Sequence, residues 1–174
     1  MGAGASTFGF QKRDVSCHGA RNGYAFICAF TTNVLPVDDT VHVSWRKGTT
    51  VIREARTFIR SNHDVDEIEN LVPGDDYSVD ILIDGVTKTI PFTIEEPPEM
   101  SLHIEKYPRF SYKHRGKVVA EAKNAKGDVR YTWKNMCNKV LGTGPCISNL
   151  TPARYMVEAQ DDSGCTAYKT FRIV

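Results

Sequence analysis

The residues with chemical reach are scattered along this chain. His18, His42, His63, His103 and His114 fall one to a segment. No two stand at the His-x-x-x-His spacing that sets two imidazoles on one metal. Cys17 and His18 are adjacent, and neighbours on a strand point to opposite faces, which parts a thiolate from its base. No Gly-x-Ser-x-Gly nucleophile elbow occurs. These residues therefore predict no catalytic set, no cofactor and no enzyme activity. Five cysteines are present without a Cys-x-x-Cys pair, so a zinc site is not expected. Cys137 and Cys146 flank a glycine-rich loop and are the expected disulfide if the chain is oxidised. Cys28 sits in an apolar run and is expected buried and free. Disulfides would point to export, free thiols to an intracellular protein.

Three further clusters invite a chemical reading. Asp64, Asp66, Glu67 and Glu69 form an acidic run of the kind that gathers oxygens for calcium, but without EF-hand spacing it reads as a solvated loop. Lys106, Arg109, Lys113, His114, Arg115 and Lys117 are interleaved with Tyr107, Phe110 and Tyr112. That pattern can hold single-stranded nucleic acid. In an alternating strand it simply sends aromatics in and cations out, so no nucleic-acid partner is expected. The start Met1-Gly2-Ala3-Gly4-Ala5-Ser6 fits the acylation pattern, with Gly2 as the acceptor. Membrane contact is expected only if Gly2 is acylated. Asn149-Leu150-Thr151 is a glycosylation sequon, but Asn70 stands at the matching place of the first half with no Thr. A turn asparagine explains both copies.

The elements that must position these residues read as strands throughout. Leu71-Val72-Pro73-Gly74-Asp75-Asp76-Tyr77 runs from a turn into alternating Ser78 to Ile83. A tyrosine entering a strand just after such a turn returns its hydroxyl to upstream backbone, the tyrosine corner of β-sandwiches. A second, shorter copy runs from Ile147 to Val157, with Leu150 and Tyr155 in the matching places. Thr40 to Trp45 alternates, and Val129 to Trp133 matches it, Trp included. Trp45, Leu71, Tyr77, Trp133, Leu150 and Tyr155 are the predicted core. Only His42 falls in a predicted strand, on its outward side. Pro91 marks an edge or a bulge in the last strand of the first half. No segment carries a sustained helical period.

Residues 1–13 read as an arm, 14–96 as one sandwich, 97–100 as a proline linker and 101–174 as a second sandwich. Residues 14–96 carry seven basic against fourteen acidic side chains, a net of −7; residues 97–174 carry thirteen against seven, a net of +6. Such opposite fields favour docking or head-to-tail association. No apolar run reaches the roughly 18 residues that span a bilayer. No secretory signal is visible, so the chain reads as cytoplasmic or assembled inside the cell, or else as an excised piece of an exported protein.

These motifs carry two resemblances. Leu71-x-Pro73-Gly74-x-x-Tyr77 is similar to the corner of fibronectin type III domains. Val15 to Gly23 and Asp161 to Ala167 resemble the opening and close of SprB-type repeats, relatives of PKD domains. In those repeats one cysteine stands in the first strand and another after the last turn. Here they are split, Cys17 in the first half and Cys165 in the second, so neither half holds both. The resemblance implies an all-β protein of two tandem immunoglobulin-like antiparallel sandwiches, with no catalytic residues. Such a chain is expected to act by protein–protein contact or self-assembly. It would be a structural component of a large particle such as a capsid or surface array, or else an adhesion or ligand-recognition module of an exported cell-surface protein.

Overall fold

The computed structural model describes residues 7–30, 40–58, 63–83, 85–107 and 116–174. The chain is all-β and divides into two compact units, Met1–Glu96 and Pro97–Val174. Each is an immunoglobulin-like sandwich of two antiparallel sheets. The first unit holds β1 Thr7–Arg13, β2 Gly23–Phe30, β3 Thr40–Lys47, β4 Thr50–Phe58, β5 His63–Leu71, β6 Gly74–Ile83 and β7 Val86–Ile94. Its sheets are ordered β1-β2-β5 and β4-β3-β6-β7. The second unit holds β8 Ser101–Tyr107, β9 Lys117–Lys123, β10 Val129–Asn135, β11 Val140–Thr143, β12 Cys146–Ile147, β13 Ala153–Asp161 and β14 Thr166–Ile173. Its sheets are ordered β12-β9-β8 and β11-β10-β13-β14. The two partitions are the same, strand for strand.

The alternation in sequence explains which face each strand buries. Val41, Val43 and Trp45 turn inward from β3, and Tyr77, Val79 and Ile81 from β6. In β13 Tyr155, Val157 and Ala159 do the same. All six predicted core residues are buried, with Trp45 at 0% and Trp133 at 1% exposure. Trp45 packs edge-on against Phe92 at 5.9 Å, and Trp133 against Phe171 at 5.8 Å. Tyr77 stacks on Phe92 and Tyr155 on Phe171.

Both corners close as their residue types require. The Tyr77 hydroxyl donates to the Val72 carbonyl at 3.0 Å, and the Tyr155 hydroxyl to the Thr151 carbonyl at 2.8 Å. Asn70 and Asn149 hold φ of 59° and 61°, the left-handed conformation that asparagine tolerates better than other side chains. Asn70, next to last in β5, and the sequon's Asn149 thus share one backbone conformation. Gly23 begins β2 where a Cβ would meet the Leu71 carbonyl oxygen and Ile94 Cγ2, both at 2.9 Å. Only glycine lets the backbone pass that closely.

The structure differs from the expected layout at both ends of the first unit. Thr7–Arg13 is no arm but a full strand paired with β2, because Phe8 and Phe10 alternate with polar neighbours and pack on the core. Asp14 to Cys17 lies in the loop after it. The chain on either side of the unit boundary is tied to its own sandwich. Glu95 N–H donates to Asp14 Oδ1 at 2.8 Å, while Met100 is buried in the second core. β7 is an edge strand, as Pro91 requires. His63 and His103 lie in strands as well as His42. Gly2 lies outside the described residues.

Trp45→Ala or Trp133→Ala is expected to lower stability by about 3–5 kcal/mol, since a large side chain leaves a cavity. Tyr77→Phe and Tyr155→Phe should each cost about 1 kcal/mol, the worth of one hydrogen bond. Urea unfolding measures all four. Wild-type stability in either tryptophan variant would refute its place as a core plate.

Candidate interaction surface

Trp45 is a large indole in a thin core, and its N–H must find a partner. It donates from Nε1 to Asp66 Oδ2 at 2.8 Å. Asp66 also holds Arg53, whose Nη2 donates to Oδ1 at 2.7 Å. Trp45 lies on β3, Arg53 on β4 and Asp66 on β5, so one carboxylate ties the two sheets together at their β4 and β5 edges. Its side chain is only 6% exposed while that of Arg53 is half exposed. Burial alone pushes the Asp66 pKa up. The hydrogen bonds from Arg53 and Trp45, with the Arg53 charge, overcome this and hold it below the usual carboxylate range. The same contact raises the pKa of Arg53.

Beside this tie lies an open groove of about 760 Å³. Ile52, Ile68, Leu71 and Val72 supply apolar lining, and Glu54, Glu67 and Glu69 an acidic border. Lys47 and Arg53 also line it, but Arg53 is neutralised by Asp66. Among the described residues β4 pairs only with β3 and β5 only with β2. Two edge strands thus border one groove, and unpaired edges are templates for another chain. Val51 and Ile52 are exposed on β4.

The acidic run is therefore divided among separate tasks. Asp66 turns to Trp45 and Arg53, and Glu67 accepts from the Tyr24 hydroxyl at 2.5 Å. No group of three or more His, Cys, Asp or Glu among the described residues could hold a metal ion. Of the basic–aromatic set, residues 108–115 lie outside the described residues. Tyr107 is exposed, its hydroxyl on Glu105 Oε2 at 2.8 Å. It sits at the end of β8, so the expected inward aromatic is not found there.

Cys28, Cys137 and Cys146 carry free thiols, whereas Cys17 and Cys165 do not. The expected Cys137–Cys146 pair is thus absent. Cys137 follows β10, while Cys146 opens β12 in the opposite sheet. Cys28 is half-buried, its Sγ 3.7 Å from the Gly9 carbonyl oxygen.

The same outward ion pair recurs in both sandwiches. Arg46 Nε donates to Asp80 Oδ2 at 2.7 Å, and Lys134 pairs with Glu158 at the corresponding place. Asp80 also accepts from the Thr89 hydroxyl at 2.6 Å, and that bond, ahead of Arg46, holds its pKa low. Asp161 closes the β13–β14 hairpin by accepting from the amides of Lys126, Ser163 and Cys165. Burial raises its pKa, and the three amides more than offset that.

No protein-family model and no curated protein matches the chain. Among solved structures it is similar to the Yersinia pseudotuberculosis adhesin InvE, at 16% identity and a TM-score of 0.29. The match covers 97% of this chain and 58% of that one. Among the described residues no helix is long and apolar enough to cross a membrane.

Asp66 supplies a pH test. Because its folded-state pKa is depressed, its contribution is present in full above about pH 4 and is lost as pH falls through the folded value. Asp66→Asn is expected to be less stable than wild type at neutral pH, and the gap should close as both are acidified. A gap that stays constant down to full protonation would show that the carboxylate charge is not what ties the sheets.

Proposed function

We propose that this chain is a non-enzymatic pair of interaction modules, working through protein–protein contact at the β4–β5 groove of the first sandwich. The observation that carries this reading is the groove itself, where two edge strands meet beside exposed apolar side chains and an acidic border. An extended segment could add to either edge with its backbone and seat alternate side chains in the hollow. The acidic lining selects a basic segment. The second sandwich, with a net of +6, makes another copy of this chain the first partner to test. Head-to-tail contacts of that kind propagate into rings or filaments.

Constant-type immunoglobulin domains place their fourth strand in the sheet of the first. Here the fourth strand pairs with the third, and the corner is of the Leu-x-Pro-Gly-x-x-Tyr form. Both features support a fibronectin type III kinship rather than an antibody-like one. Nothing in the fold supports a capsid component. An adhesion module of an exported protein is the form of this reading in which the partner is a different molecule.

Sedimentation velocity of the whole chain tests it. Exposed charges act over about 30 Å at 0.01 M salt and only about 3 Å at 1 M. Association is expected at the low salt and dissociation at the high, and Glu54→Lys with Glu69→Lys should abolish it at low salt. A chain that stays monomeric at low salt would remove self-association and leave the groove to a different basic partner.

A further inference from the structure

Arg154 on β13 and Arg172 on β14 stand directly opposite each other in register. Like charges across a strand pair are destabilising, and an acid beside them would normally relieve the cost. Here none does. Neither guanidinium has a hydrogen-bond or ion-pair partner among the described residues. Thr170 lies two residues before Arg172, on the same face of β14. Met136, Arg154, Thr170, Phe171 and Arg172 line a hollow of about 310 Å³. Lys106 adds a third cation nearby, its Nζ 3.1 Å from the Arg172 carbonyl oxygen.

The first sandwich serves as an internal control. It matches the second in its tryptophan, its corner tyrosine, its last-strand phenylalanine and its Arg46–Asp80 ion pair. The residue before the corner tyrosine is Asp76 in the first sandwich and Arg154 in the second. The residue after the phenylalanine is Thr93 in the first and Arg172 in the second. The fold therefore does not need two cations at this place.

We propose that this hollow is a binding site for a doubly charged tetrahedral oxyanion, a sulfate or a phosphate group. Opposed residues of an antiparallel pair have Cα atoms about 5 Å apart, so one anion can receive from both side chains. Each guanidinium offers a planar fork of N–H donors suited to paired oxygens. The Thr170 hydroxyl is a further donor. Two negative charges balance the two arginines, whereas a single carboxylate leaves one cation unrelieved. The site is separate from the β4–β5 groove and does not depend on it.

The same chemistry could come from a free ion or from a phosphate monoester carried on a sugar, which is doubly charged above a pKa of about 6. The test is a titration of the isotope-labelled whole chain at about pH 8 with inorganic sulfate, inorganic phosphate and a sugar monophosphate, against sodium chloride at matched ionic strength. Saturable amide shifts are expected at Met136, Arg154 and Thr170 to Arg172. Arg154→Ala and Arg172→Ala should each weaken binding by about tenfold or more, as loss of a charge-assisted hydrogen bond requires. Without anion, each variant should match or exceed wild type in thermal stability, because a repulsion has been removed. Saturation by the inorganic ions supports a free-ion site; saturation by the sugar monophosphate alone supports a sugar-borne group. Shifts that chloride reproduces, or unchanged affinity in both variants, would overturn the proposal.

Discussion

Each sandwich is assembled on one phenylalanine ring of its final strand. Phe92 takes the edge of Trp45 and the face of Tyr77, and Phe171 takes Trp133 and Tyr155 in the same way. A two-sheet core is only about 10 Å thick, so three rings fill much of it. Edge-to-face and offset-stacked rings add roughly 0.5–1.5 kcal/mol per pair beyond the area they bury. The cluster also sets the polar problem of each unit. A buried indole brings an N–H with it, and the two units satisfy that donor differently.

In the second unit Trp133 Nε1 donates to the Gly144 carbonyl at 2.8 Å. A loop carbonyl is neutral and asks nothing further of its surroundings. In the first unit the acceptor is a nearly buried carboxylate, which must itself be balanced. Arg53 does that from β4, and so the edge strands of opposite sheets are joined by a charge. The groove stands beside that tie. On the other flank of the second unit, Lys106 reaches the Arg172 carbonyl and Lys169 the Leu102 carbonyl. Those lysines bridge β8 and β14, blunting two edges with charge.

What was legible in the sequence was local. Leu71, Pro73, Gly74 and Tyr77 lie within seven residues, and the hydrogen bond they set up spans five. Asn70 and Asn149 announced their left-handed backbone by type and by recurrence. β1 was missed because Gly9, Gln11 and Lys12 obscure a two-ring alternation at Phe8 and Phe10. The role of Asp66 was not readable, because four acids crowd that stretch and only the register of β5 decides which one meets an indole two strands away. Cys137 and Cys146 look paired along the chain. Sheet partition separates them, and sequence distance carries no record of it.

The position of the two phenylalanines in chain order has a consequence for biosynthesis. Phe92 and Phe171 lie on the last strand of their units, so each is among the final residues of its sandwich to leave the ribosome. A nascent first unit holds its tryptophan and tyrosine without the ring they rest on until β7 emerges. Domains generally fold as units, the N-terminal one first during synthesis. The first sandwich can complete its core while the second is still being translated, and the order of strands makes each closing step a late, single-strand event.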